Sequence, residues 1–201
     1  EMCIRDRRYN VDYTEEEIVV TNGASEAIDT ALRSILEPGD EIIIPGPIYA
    51  GYIPLIETLG GQPVYIDTTT TDFKITPEAI RAHVTPKTKA ILLNYPTNPT
   101  GVILSRQEAA NIADELKQHA IFILSDEIYA ENTFKGQHTS LAEFPEIRDQ
   151  LLLISGLSKS HSATGIRIGF LLGPEYLIEK LTFMHALSLI HISEPTRQEA
   201  I

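Results

Sequence analysis

The sequence predicts an α/β fold, with three layers (α/β/α) built around a mainly parallel sheet. Short apolar runs alternate with longer amphipathic ones along most of the chain, which is the pattern of strand–helix repeats. The boundaries between runs also carry the turn and capping residues that such elements need.

Glu17-Ile18-Val19-Val20-Thr21 reads as the first strand, and Asn22-Gly23-Ala24-Ser25 as its turn into a helix that runs to about Leu36. Glu37-Pro38-Gly39-Asp40 breaks that helix, and Glu41 to Pro45 is the next strand. A helix from about Ala50 to Leu59 stops at Gly60-Gly61, ahead of a strand at Val64-Tyr65-Ile66. Thr76-Pro77-Glu78 has an N-cap followed by proline at the first helical position. Lys89 to Asn94 is a buried strand, and Ser105-Arg106-Gln107-Glu108 is a capping box opening a helix to about His119. Ile121 to Leu124, Leu151 to Ile154 and Gly169 to Leu172 complete the strands.

The composition is that of a globular protein: 43% hydrophobic, 22% charged, and long enough for one sizeable core. A formal net charge of −12 argues against a nucleic-acid or anionic-membrane partner, although it leaves room for a local anion site. The single cysteine, Cys3, excludes an intrachain disulfide and a cysteine-built metal centre, and no metal site is expected. No apolar run approaches the roughly 20 residues of a membrane helix, and no secretory signal is visible. A cytoplasmic location is the expectation. The coherent pattern runs from Arg8 to Ala186. The tails 1–7 (EMCIRDR) and 188–201 (SLIHISEPTRQEAI) resemble translated sequencing-adapter read-through and are expected to be foreign to the domain.

Four segments carry chemistry. In Gly156-Leu157-Ser158-Lys159-Ser160, a lysine follows a buried strand within a loop of small residues, and Arg167 follows in Thr164-Gly165-Ile166-Arg167. Partial burial would lower the lysine's pKa and make it a nucleophile, while small neighbours leave room for an aldehyde. Arg167 offers a planar fork suited to phosphate. A lone lysine in a loop would be an ordinary surface residue. In Ser125-Asp126-Glu127-Ile128-Tyr129, the carboxylate of Asp126 stands at a strand's carboxyl end, where ligands of open parallel sheets bind. Beside a pyridine nitrogen it would keep that nitrogen protonated, and Tyr129 could donate to a phenolic oxygen; alternatively Asp126 caps a turn and Tyr129 is core. Asn94-Tyr95-Pro96-Thr97-Asn98-Pro99 is a rigid turn with a side-chain amide able to meet a ligand oxygen. Thr21-Asn22-Gly23-Ala24-Ser25 is a helix N-terminus that could seat a phosphate or serve only as a cap. Tyr49 adds an aromatic able to stack on a ring, or a core tyrosine.

Together these segments resemble the fold-type I pyridoxal-phosphate enzymes, specifically the class I/II aminotransferases over about Arg8 to Ala186. Within them the sequence is similar to the bacterial aminotransferase A group, which includes N-acetyl-LL-diaminopimelate and aromatic aminotransferases. The resemblance implies the pyridoxal-phosphate-binding large domain of such an enzyme, incomplete at both ends. It implies pyridoxal 5'-phosphate as cofactor, with Lys159 forming the imine to it and serving as general acid/base. Asp126 would hold the pyridine nitrogen, with Asn98 and Tyr129 at the ring oxygen and Tyr49 stacked on the ring. Ala24, Ser25, Ser158 and Arg167 would hold the phosphate, with Ser155 as the competitor of Ser158.

An amino acid and a 2-oxo acid would be the substrates, and the full-length protein a homodimer. The arginine for the substrate carboxylate and the segment closing the site would lie outside this chain, so the chain alone is expected to be inactive. The cofactor residues leave open a C–S lyase or decarboxylase on the same fold. An aminotransferase-like sensor domain of a transcription regulator is the alternative from another class.

Overall fold

The computed structural model describes residue 9 and residues 11–189. Cys3 and the tail 1–7 lie outside the described residues, and of the tail 188–201 only 188–189 fall within them. Seven strands form one sheet: β1 (Ile18–Thr21), β2 (Glu41–Gly46), β3 (Gln62–Asp67), β4 (Thr88–Asn94), β5 (Phe122–Asp126), β6 (Leu151–Gly156) and β7 (Gly169–Leu172). Their spatial order is β1-β7-β6-β5-β4-β2-β3. Every strand expected from the sequence is present to within two residues at each end. All pairings are parallel except those of β7, which runs antiparallel to both β1 and β6.

Among the described residues the α-helices of four or more residues are α1 (Ala24–Ile35), α2 (Tyr52–Thr58), α3 (Pro77–His83), α4 (Arg106–Leu116), α5 (Leu157–Ser160) and α6 (Glu175–Leu189). Their starts follow local chemistry. Thr76 accepts the Ala79 N–H ahead of Pro77 in α3. Ser105 and Glu108 exchange the two reciprocal bonds of a capping box at α4. Two of these helices, 157–160 and 175–189, differ from the sequence expectation, which has 157–160 as loop and no element at 175–189. The first of these is a single helical turn, closed by the His161 N–H donating to the Leu157 carbonyl and by Ser160 Oγ donating to that of Gly156.

Alternation along the strands explains the three layers. Ile42, Ile44, Leu92 and Leu124 point to one face, where they pack with Ala27, Ala31 and Leu32 of α1 and Leu181 of α6. Ile43, Ile91, Leu93 and Ile123 point to the other face, against Ile80 of α3 and Ile112 and Leu116 of α4. Each such side chain taken fully from water contributes about 1.5–3 kcal/mol, so the central strands must be apolar on both faces.

Strands β1 to β6 all end on the same side, at Thr21, Gly46, Asp67, Asn94, Asp126 and Gly156. Because β7 runs the other way, its first residue joins that edge. Gly169 pairs with Thr21 on one side and Gly156 on the other. A Cβ at 169 would lie 2.4 Å from the Gly23 carbonyl carbon and 2.6 Å from the Ala24 nitrogen, backbone atoms that cannot step aside. Gly169→Ala is therefore expected to lower the unfolding free energy by about 1–3 kcal/mol, read from urea denaturation. Gly165→Ala, where a Cβ meets nothing within 4 Å, should change it by less than about 0.5 kcal/mol.

Candidate active site

Asp126 closes β5 at the centre of the sheet and is only 3% exposed. One carboxylate oxygen, Oδ1, accepts the Ile128 N–H at 3.0 Å, and Oδ2 accepts the Tyr52 hydroxyl at 2.5 Å. On the neighbouring strand, Asn94 donates its amide to the Asp126 carbonyl at 2.9 Å and accepts the Asn98 N–H at 2.9 Å. One residue thus sets the spacing between the β4 and β5 ends. Asn98 in turn donates to the Tyr129 hydroxyl at 3.5 Å. The next carboxylate, Glu127, turns away from the cavity. It is buried against Ser125 Oγ, Ser140 Oγ, the Leu141 N–H and His138, which tie the segment after β5 back to the strand.

Lys159 stands on α5 with its ammonium 5.5 Å from the centre of the Tyr129 ring. Its side chain is exposed, which corrects the expected partial burial: α5 is one turn long and lies on the open rim, so the lysine reaches over the cavity from its edge. The preceding Ser158 is buried and lines the cavity, whereas Ser155 lies inside β6, opposite Phe170, and does not.

The third wall is the turn from β1 into α1. The first intrahelical bonds there are made by Glu26 and Ala27 to the Gly23 carbonyl, so the Ala24 and Ser25 N–H groups precede the hydrogen-bond ladder. Gly23 has φ +82°, and a Cβ on it would lie 2.4 Å from an Arg167 guanidinium nitrogen. Arg167 is itself left-handed, with φ 57°, and donates to the carbonyls of Thr164 and Asn22, both at 3.2 Å. A guanidinium and a helix N-terminus are thereby held side by side.

All nine residues singled out in the sequence (Ala24, Ser25, Tyr49, Asn98, Asp126, Tyr129, Ser158, Lys159 and Arg167) line one cavity of about 220 Å³. Tyr49 is half exposed at its rim and packs edge-on against Tyr52, with ring centres 5.3 Å apart. Tyr52, Asn94, Ile128 and Thr164 also line the cavity and were missed. The Tyr49-Ala50-Gly51-Tyr52 spacing was the one available signal for Tyr52. A wider recess of about 800 Å³ continues past Lys159 toward Phe134 and Lys135. Among the described residues no cluster of His, Cys, Asp or Glu could hold a metal, and no helix is long and apolar enough to cross a membrane.

Residues 3–200 match the family model for aminotransferase class I and II. The chain belongs to that family. It is 48% identical over 193 residues to a protein of Bacillus subtilis (strain 168) described as a probable N-acetyl-LL-diaminopimelate aminotransferase, covering 96% of this chain and 48% of that one. Among solved structures, N-succinyldiaminopimelate aminotransferase from Mycobacterium tuberculosis superposes with a TM-score of 0.87 at 34% identity, covering 93% of this chain and 50% of the other. Aspartate aminotransferase from Rhizobium meliloti gives 0.88 at 31%, covering 92% and 47%. The chain spans about half the length of the relatives it matches.

Within this family member, burial pushes the Asp126 carboxyl up to about 6, against the hydrogen bonds of Tyr52 and Ile128, which favour the charged form. The adjacent Glu127 raises it further. Tyr52 is driven well above 10 by burial and by the Asp126 charge. A folded value above the ordinary 3.8 means that the folded state holds the proton more tightly than the unfolded chain does. Asp126's contribution to stability is therefore fully present below about pH 4 and lost as pH rises through about 6, a change of about 3 kcal/mol. In ligand-free protein, the difference in unfolding free energy between wild type and Asp126→Asn should shift by about that amount between pH 4 and 7, in favour of the asparagine variant at pH 7. Urea titrations at both pH values check this.

Proposed function

We propose that the protein carrying this chain is a pyridoxal-phosphate-dependent aminotransferase, moving an amino group from an L-amino acid to a 2-oxo acid. The observation that carries the reading is the convergence of an amine, a buried carboxylate and an anion seat on one cavity. The family's members use pyridoxal phosphate, and the donor set fits that group. The glycine at 23 leaves the Arg167 fork lying flat against the α1 N-terminus, where a dianionic phosphate meets N–H donors and fixed positive charge. When bound, pyridoxal phosphate supplies an aldehyde and a pyridinium ring that accepts the electron pair of a broken bond at the substrate Cα.

In this reading the tasks divide among the residues that line the cavity. Asp126, held in a dry pocket, keeps its charge opposite the pyridine nitrogen and retains the proton there. Asn98 and Tyr129, already in contact with each other, orient the ring oxygen. Tyr49 covers the ring face from the rim. Ala24, Ser25, Ser158 and Arg167 fix the phosphate. Lys159 Nζ anchors the cofactor and then moves the substrate Cα proton; its place on the open rim gives it the reach for both. Arg167 is committed to the phosphate, so the substrate carboxylate is bound by another group.

The names of the relatives support transamination over a lyase or decarboxylase. The donor and acceptor are proposed to be amino and 2-oxo acids handled in amino-acid biosynthesis, and the whole protein a cytoplasmic homodimer with neither nucleic-acid nor membrane partners.

The test is a transamination assay of the full-length protein with aromatic, dicarboxylic and N-acylated diamino acids against 2-oxoglutarate. Turnover should be lost in Lys159→Ala. In Asp126→Asn it should fall by about 10²–10⁴, the span of a strong electrostatic or acid–base contribution, with the cofactor still bound. Near-normal turnover in a folded Asp126→Asn protein would remove the electron-sink role.

A further inference from the structure

Two buried acidic residues stand next to each other at the end of β5, and the fold treats them differently. Glu127 is turned away and surrounded by protein donors. Asp126 faces the cavity and has two donors from the chain, one on each oxygen: the Ile128 N–H on Oδ1 and the Tyr52 hydroxyl on Oδ2. The Ile128 bond is local and would form in almost any turn after β5. The Tyr52 bond spans 74 residues and brings the first residue of α2 across the carboxyl ends of β2, β4 and β5.

Tyr52 is 3% exposed, and its ring packs in the apolar cluster on the α1 face of the sheet. Its backbone is placed by the turn from Tyr49, whose carbonyl accepts the Tyr52 N–H at 3.3 Å. The ring of Tyr49 folds back over Gly51, where a Cβ would lie 2.4 Å from it. A glycine and two tyrosines thus build a short hook whose one buried polar atom lands on Asp126.

We propose that Tyr52 is a positioning residue for Asp126: its hydroxyl fixes the rotation of the carboxylate and holds it in the charged form that faces the cavity. The inference rests on the cofactor chemistry proposed above, which needs Asp126 charged. A carboxylate buried this deeply keeps its charge only where donors offset the lost hydration. The titratable and charged groups around it on the same cavity are Tyr49 and Tyr52 from the β2–α2 side, Tyr129 beyond β5, Lys159 on α5 and Arg167 before β7; Glu127 adjoins it behind. Lys159 and Arg167 carry positive charge there, and neither has Asp126 as a hydrogen-bond partner. Tyr52 is therefore the side chain that sets the acidity of Asp126 through direct contact. Removing its hydroxyl should make Asp126 a weaker acid and raise the pH needed to ionise it, so that the proton shared with a bound pyridine nitrogen would shift toward the carboxylate.

The experiment uses the full-length protein, ligand-free and cofactor-loaded, and compares wild type with two alternative single replacements of Tyr52. Tyr52→Phe keeps the ring and removes the donor. Tyr52 replaced by 3,5-difluorotyrosine keeps the shape and makes the donor stronger. In ligand-free protein, the carboxyl ¹³C resonance of Asp126 is titrated with pH. The midpoint should move above that of wild type in Tyr52→Phe and below it in the fluorinated protein. In protein loaded with ¹⁵N-labelled pyridoxal phosphate, the ring resonance should move toward the neutral position in Tyr52→Phe. There kcat should fall roughly tenfold or more, the scale of one hydrogen bond to a charged group, while KM for the amino donor changes less.

A residue that only filled the core would leave the fluorinated protein at the wild-type midpoint, and that result overturns the proposal. So does an unchanged midpoint in Tyr52→Phe. Failure of the cofactor reading has a different signature: wild type shows no bound ¹⁵N resonance, while the ¹³C titration still decides the role of Tyr52.

Discussion

A carboxylate held out of water at the end of the central strand is the constraint around which the site is arranged. Asp126 is charged only at a cost, and burial has already moved it up to about 6. Two donors oppose that shift, the Tyr52 hydroxyl and the Ile128 N–H on its oxygens; Asn94 holds its backbone in place, and Glu127, although drawn off onto partners of its own, adds to the shift. Such an arrangement is stable only at the edge of a sheet covered on both faces, where a strand delivers a side chain into a dry pocket and a neighbouring strand braces it. A site that strains stability in this way is what function at a buried charge requires.

The second physical element is the close approach of three backbones at β1, β6 and β7. Glycines at 23, 156 and 169 let the β1–α1 turn, the start of α5 and the start of β7 meet without side chains between them. The result is that Ser25, Ser158 and Arg167, far apart in sequence, share one wall. The antiparallel direction of β7 matters here, because the strand starts at the carboxyl edge, so the segment from Gly156 to Gly169 that carries Lys159 and Arg167 stays on that edge.

Much of this was legible beforehand. Central strands such as Ile42–Ile44 and Leu92–Leu93 are apolar on both faces, which only a covered sheet explains, and capping signals at Thr76 and Ser105 mark helix starts by chemistry that acts within four residues. That the nine positions would share one cavity was legible because they lie at or soon after strand ends, in segments whose order resembles the family's. What escaped is non-local. Nothing in the local sequence says that Tyr52 reaches Asp126 across 74 residues, or that Asn94 bridges β4 to β5. The exposure of Lys159 was misjudged because a buried strand precedes it, whereas the intervening helical turn carries it onto the rim. The antiparallel entry of β7 is a topological fact that its four apolar residues do not encode alone.

In the proposed reaction this edge of the sheet presents one particular amine, that of Lys159, to one cofactor. Lys135, which lines the adjoining recess together with Lys159, is the competitor for an aldehyde in that space. The most direct measurement is borohydride reduction of the full-length protein loaded with pyridoxal phosphate, followed by peptide mapping by mass spectrometry. The added mass is expected on Lys159, at close to one equivalent per chain. Label on Lys135, or spread over surface lysines such as Lys180, would contradict it.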